Sequence, residues 1–344
     1  MNLYQSRFAA NAKAVAEELP DNAIAVLKGD GYGFGLDLCA KTIATCGYRR
    51  FMVATTTEAS TLRAHGCSVP IIVAGAGRFS AEGVSDIEWL VGEPEIRRLS
   101  GTSAIVGLRV HIDVDFGIGR GGVHPTDLDR AMTMLQRAGV EIAGLAGHLP
   151  GNVTAGLAID AQETLVSARH RCPRALLHLG GSDAIQWVHL LPHAALRMGR
   201  LLFGVRPRDL APDVLPAVTT SWAWQAAAIP YLPPRRTGYA AAPARPGRPF
   251  RIEAGFAHGL PPQAAGNWPV CIGGIPYLIQ EVFMLSSIAY PLCDTTQAPA
   301  TTAVALLAGR NELTEVPIRS IAQALGMPTT AVLAAPRVPR RAQP

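Results

Sequence analysis

Between about residues 22 and 204, short β-rich runs alternate with helical stretches, and this rhythm limits the possible folds more than any other feature of the chain. The runs are Ala23–Leu27, Phe51–Ala54, Pro70–Ala74, Ile87–Val91, Ala104–Val114, Ile142–Gly147, Ala175–Leu179 and Leu196–Phe203. Amphipathic segments lie between them, among them Leu38–Cys46, Thr57–His65, Asp127–Ala138 and Asp160–Arg171. Strands and helices at this spacing predict βαβ units and a parallel sheet. Eight repeats predict a closed (β/α)8 TIM-like barrel rather than an open sheet. The runs are mostly continuous apolar stretches, as expected of strands covered on both faces.

The texture changes after about Leu210. Proline becomes dense (Pro230, Pro233, Pro234, Pro243, Pro246, Pro249), and helical periodicity does not return until Ile318–Leu325. Val218–Ala228, Phe250–Ala254, Val270–Ile275 and Val304–Leu307 read as strands of a separate, mainly-β domain. A chain of 344 residues suits two domains, so the expected division is a barrel over 1–210 and a C-terminal β domain over 211–344.

Several function classes drop out. The net charge is +5, but the basic residues are dispersed and show no clustered stripe with interleaved aromatics, which argues against nucleic-acid binding. No apolar stretch reaches the roughly 18 residues of a membrane span. The first twenty residues do not read as a secretory signal. The six cysteines have no paired spacing and fit reduced thiols in a cytoplasmic protein. Arginine supplies nearly every positive charge, and the lysines are Lys13, Lys28 and Lys41 alone. A lysine kept in such a background is a candidate for amine chemistry; chance is the competing explanation.

Active sites of α/β barrels gather at the C-terminal ends of the strands. The first such end reads Lys28-Gly-Asp-Gly-Tyr32-Gly-Phe-Gly35. Desolvation beside an apolar strand lowers an ammonium's pKa and makes a lysine nucleophilic. The spacing alone fits equally a surface lysine beside a turn.

This segment resembles the pyridoxal phosphate (PLP) lysine signature of the alanine racemase family. Four more segments match in order. They are His111-Ile-Asp-Val-Asp-Phe-Gly-Ile-Gly-Arg120, Gly144-Leu-Ala-Gly-His148, His178-Leu-Gly-Gly-Ser182, and Leu196-Arg-Met-Gly199 running to Phe203-Gly204. The resemblance implies a fold-type III PLP enzyme of the cytoplasm, acting on a small-molecule amino-acid substrate as a homodimer with shared active sites. It implies that Lys28 carries PLP as an aldimine. Tyr32, Ser182 and backbone amides near Gly199 and Arg200 would hold the phosphate, and His148 would flank the ring. Arg197 would face the ring nitrogen and, as a permanent cation, leave it unprotonated. Carboxylates stand at that place in decarboxylases of the same fold, so Arg197 points to the racemase branch. Arg120 would lie near the substrate carboxylate. The family's carbamate-bearing lysine, seven residues earlier, is Asp113 here, a negative charge able to hold Arg120.

The second half of the implied site departs from the family. Its second base is a tyrosine from the partner's β domain in a Gly-Tyr-Ala-Asp-Gly motif, and this chain reads Gly255-Phe256-Ala-His258-Gly259. A phenyl ring neither removes nor delivers a proton. His258, in the same loop, and Tyr277 are the replacement candidates, the alternative being that both only shape the pocket. By the same resemblance the family's Cys-Met-Asp segment falls on Tyr277-Leu278-Ile279, which makes Tyr277 and Leu278 substrate-wall residues. Its Tyr-Gly tyrosine is Phe203, its asparagine before the phosphate serine is Gly181, and a phosphate-touching tyrosine near the C-terminus lines up with Pro336. The family's first β-domain strand is expected to be missing. Three readings follow: a racemase or epimerase with an altered second base; a one-face PLP lyase (decarboxylation, β-elimination or retro-aldol cleavage), for which Cys293-Asp294 is a faint sign; and a non-catalytic PLP-binding scaffold.

Overall fold

The computed structural model describes residues 2–19, 23–75, 87–101, 107–150, 153–207, 210–211, 213–231, 247–293, 299, 301–311, 314–326 and 341–343. Asp294, Pro336 and most of the proline-rich stretch after Tyr231 lie outside them. The chain divides into two compact units, Ala9–Val218 and Met1–Phe8 with Thr219–Pro344. The second unit thus takes in the first eight residues, and residues 211–218 go with the first unit.

Asn2–Tyr4 (β1) opens the chain. The eight strands of the first unit are Ile24–Val26 (β2), Phe51–Val53 (β3), Ile71–Val73 (β4), Ile87–Val91 (β5), Arg109–Asp115 (β6), Glu141–His148 (β7), Leu176–Leu179 (β8) and Ala195–Met198 (β9). Neighbours pair in parallel and β9 pairs back to β2, which closes a TIM-like barrel. The last of the expected runs, Leu196–Phe203, is extended only as far as Met198. Gly199 then turns the chain into a short 3-10 segment, Arg200–Phe203.

Strand side chains alternate between faces, and in a closed barrel one face fills the interior. Ile24, Val26, Met52, Ile72 and Ala195 form one apolar cluster, with Ala74, Leu90 and Leu176 packed against it. The same period of two puts Arg197 on the face of Ala195 and Glu88 on that of Leu90. Along β6 the polar residues His111 and Asp113 share one face while Val110, Ile112 and Val114 take the other. All five are buried.

The second unit is one sheet of nine strands. Besides β1 it contains Trp222–Pro230 (β10), Phe250–Ile252 (β11), Pro269–Ile272 (β12), Ile275–Val282 (β13), Ser287–Pro291 (β14), Ala303–Arg310 (β15), Glu315–Val316 (β16) and Arg341–Gln343 (β17). The order is β16-β15-β12-β13-β14-β11-β10-β1-β17, and β10 pairs also with β15, so six strands close on themselves. Trp222, Trp224, Trp268, Tyr277 and Phe250 fill its core. The first strand, expected to be missing, is present: Leu3 pairs with Trp222 antiparallel. Three residues before a helix leave no periodicity to read, and only the partner strand makes them a strand.

Candidate active site

The chain leaves β2 through a left-handed turn. Gly29, Asp30, Gly31 and Tyr32 have φ of +67°, +54°, +62° and +55°. A left-handed residue with a Cβ costs about 1–2 kcal/mol, so Asp30 and Tyr32 need support. Asp30 N–H donates to Glu58 Oε1 at 2.8 Å, and Asp30 Oδ1 accepts from Leu36 N–H at 2.8 Å. The Tyr32 ring packs 5.2 Å from Phe203, which in turn stacks on Phe34. Gly31 is needed for space as well as for φ, because a Cβ there would meet Cys39 Sγ at 2.9 Å. Strain held by several independent contacts is typical of functional sites, and here it sets Lys28 and Tyr32 at the barrel mouth.

Lys28 is exposed, but its surroundings are not those of a surface lysine. Partial desolvation and the charges of Arg120 and Arg197 lower its pKa. Its own charge is felt at His148. Arg120, Arg197 and His148 are thus its electrostatic neighbours.

Arg197 is the organising cation. It is buried, Nε donates to Gly180 O at 3.1 Å, and Nη2 donates to Gly147 O at 2.8 Å and to His148 Nδ1 at 3.2 Å. Nη1 donates to His178 Nδ1 at 3.0 Å. Guanidinium has five N–H groups, so these contacts leave one, on Nη1, unclaimed among the described residues. Burial brings its pKa down to about 10, which keeps it charged at neutral pH. His148, desolvated and flanked by Arg197 and Arg120, falls to about 3 and is neutral.

Tyr32, Ser182, Gly199 and Arg200 come together beyond β8 and β9. A Cβ on Gly199 would lie 2.2 Å from the Tyr32 hydroxyl, so glycine is what admits that hydroxyl. Burial raises the Tyr32 pKa to about 12, and the phenol keeps its proton. Ser182 Oγ accepts from Gly199 N–H at 3.4 Å and Leu201 N–H at 3.3 Å, leaving its own proton to donate. The Arg200 guanidinium is tied to Asp183, so this residue offers its main chain to the site.

Asp113 and Arg120 also meet, Nη2 donating to Oδ2 at 3.4 Å. The other carboxylate oxygen, Oδ1, is buried with no hydrogen-bond partner among the described residues. Burial raises the Asp113 pKa, while Arg197 and Arg120 pull it down.

In the second unit, Phe256 is 37% exposed on a turn fixed by its backbone. Phe256 N–H donates to Phe283 O and Ala257 N–H to Met284 O, both at 2.9 Å. His258 Nδ1 accepts from Gly255 N–H at 3.1 Å, capping the turn. Tyr277 requires a correction: it is fully buried, its ring edge-on to Phe250 at 5.5 Å, and it is core rather than substrate wall. Leu278 pairs with Pro269 and Tyr290 within the sheet, away from the turn. The stretch beside Phe256 is Phe283-Met284-Leu285, with Met284 and Leu285 strongly exposed. The β13–β14 pairing carries a bulge between Ile279 and Glu281. Glu88 was missed as well, although its spacing of two from Leu90 would have put it inside the barrel.

These residues fit PLP: an amine at the mouth, one unclaimed guanidinium N–H, and a glycine cradle below a protonated phenol. Fold and site together define a barrel protein of the fold-type III PLP class. Residues 4–207 match the family model for alanine racemase, N-terminal domain. Alanine racemase of Acidithiobacillus ferrooxidans is 31% identical over 291 residues, 77% of this chain and 77% of that protein. Alanine racemase of Streptococcus pneumoniae strain Hungary19A-6 is 26% identical over 231 residues, and the match spans 61% of either chain. Among solved structures, alanine racemase of Corynebacterium glutamicum superposes with a TM-score of 0.80 at 23% identity, covering 99% of this chain and 97% of that one. The Bacillus anthracis enzyme, solved with bound L-Ala-P, gives 0.80 at 20% identity over 100% and 94%. The chain belongs to the alanine racemase family, whose members are PLP-dependent. No helix among the described residues is long and apolar enough to cross a membrane.

Proposed function

We propose that this protein is a cytoplasmic PLP-dependent amino-acid enzyme, a racemase or epimerase in type, that works as a homodimer with the partner's Phe256 turn over the barrel mouth. The observation that carries this reading is the unclaimed N–H of Arg197 beside a lysine of lowered pKa. Bound PLP would supply an electron-withdrawing ring that acidifies the substrate's Cα proton. Lys28 would bind the cofactor and move that proton at Nζ, its lowered pKa favouring the free amine. Tyr32, Ser182 and the Gly199–Arg200 main chain would hold the phosphate, and His148, neutral, would flank the ring. Arg197 would direct its remaining N–H at the ring nitrogen. Arg120, held by Asp113, would bind the substrate carboxylate.

Inversion needs a proton carrier on each face of Cα. Phe256 carries none. With Nδ1 accepting from Gly255 N–H, neutral His258 bears its proton on Nε2 and offers no base there unless the ring leaves its cap. This favours a second reading, one-face lyase chemistry with Lys28 as the only base. Phe256, Met284 and Leu285 support a substrate side chain less polar or larger than that of alanine.

Titration with PLP tests the first claim. A visible absorbance is expected, lost in Lys28→Ala, with turnover reduced about a thousandfold or more; a colourless wild-type protein defeats the reading. Incubation with amino acids in deuterated water separates the chemistries. Exchange with inversion supports the racemase, and exchange with retention or a new product supports the lyase. No exchange with any amino acid leaves a PLP-binding scaffold.

A further inference from the structure

A chain of buried polar groups runs through the barrel below Arg197. Arg197 Nη1 meets His178 Nδ1 at 3.0 Å, His178 Nε2 meets His111 Nδ1 at 2.9 Å, and His111 Nε2 meets Glu88 Oε2 at 2.9 Å. His178 and His111 are fully buried and Glu88 is 1% exposed. Glu88 is anchored by ion pairs to Arg50 and to Arg109, the latter at 2.9 Å. The sequence makes room for the chain: a Cβ on Gly144, across from His111 on β7, would lie 1.9 Å from the His111 ring.

The direction of this chain is fixed by its ends. Guanidinium only donates and carboxylate only accepts. His178 Nδ1 must therefore accept from Arg197, so the neutral ring carries its proton on Nε2 and donates to His111 Nδ1. His111 in turn carries its proton on Nε2 and donates to Glu88. Burial and the nearby guanidinium groups hold both rings neutral. Without an acceptor at residue 88, the His111 Nε2–H is stranded unpaired in the interior, which is unfavourable. Its cheapest relief is the other tautomer. That turns the His111 donor toward His178, turns the His178 donor toward Arg197, and sets two donors face to face at the guanidinium.

We propose that Glu88 is a positioning residue for Arg197, fixing through His111 and His178 the tautomers that keep the guanidinium aimed at the cofactor site. The inference rests on the assignment of Arg197 to the ring nitrogen, but its first readout does not. Side-chain 15N spectra of the full chain without PLP should show His111 and His178 as neutral Nε2–H tautomers at pH 6. A protonated ring, or an Nδ1–H tautomer at either position, overturns the proposal. In Glu88→Val both rings should leave that single tautomer, and PLP affinity should fall about tenfold, as for loss of outer-shell partners elsewhere. Arg50 and Arg109 have side chains 22% and 40% exposed and can turn to water, which favours folding of the variant. Glu88→Gln keeps an acceptor oxygen and should restore the tautomers and most of the affinity. Unaltered tautomers and affinity in Glu88→Val overturn the proposal, and should that variant not fold, the wild-type spectrum decides. A chain with the predicted tautomers that binds no PLP would refute the cofactor reading and leave the relay standing.

Discussion

The barrel mouth and the Phe256 turn are held in opposite ways. At the mouth, side chains fix one another: Arg197 is committed at four of its five donors, and Gly199 is open where Tyr32 enters. At the turn, main-chain bonds to Phe283 and Met284 and a clearance at Gly255, whose Cβ would lie 2.2 Å from Phe283 O, fix the backbone. The side chain of residue 256 takes no part in those bonds. A change at the mouth must therefore propagate, whereas a change of side chain at residue 256 should leave the fold settled.

Four perturbations would break or sharpen this contrast. The largest is Gly144→Ala, where the added methyl collides with His111 deep in the barrel. Overpacking of this kind should cost about 3 kcal/mol, read as a lower urea midpoint; wild-type stability would mean that the mouth's support is looser than described.

Next is pH. Burial, then neighbouring guanidinium groups, depress the pKa values of His111 and His178 well below the ordinary value in the folded chain. The unfolded chain takes up protons below about pH 6.5 while the folded chain refuses them, so stability is full above that pH and falls as the pH drops. Each histidine contributes a slope of about 1.4 kcal/mol per pH unit. Equal urea midpoints at pH 7 and pH 5 would contradict it.

Asp113→Ala should raise the substrate KM about tenfold, an effect of about 1.4 kcal/mol on Arg120, with a smaller change in kcat. Unchanged kinetics would remove Asp113 from the site. Phe256→Tyr should shift stability by no more than about 0.5 kcal/mol and confer, or strengthen, exchange with inversion in deuterated water. A large loss of stability would show that the turn does depend on this side chain.

The eight-strand rhythm and the five motifs made the barrel and its mouth legible, because strand ends and glycine spacing are local properties of a chain. Expected runs such as Phe51–Ala54 and Ile142–Gly147 fall within a residue or two of β3 and β7. The strand β1 was not legible, nor were the bulge after Ile279 and the burial of Tyr277, since each depends on pairing across the sheet.

By itself, the sequence determined which residue types could do chemistry: one amine at a strand end, an arginine in the last barrel run, and no proton carrier at position 256. Only the tertiary structure decided which of them act together. Hydrogen bonds between β5, β6, β8 and β9 join Glu88 to Arg197 across more than a hundred residues. Their direction comes from the donor-only and acceptor-only ends of that chain, a property that no single segment of sequence contains.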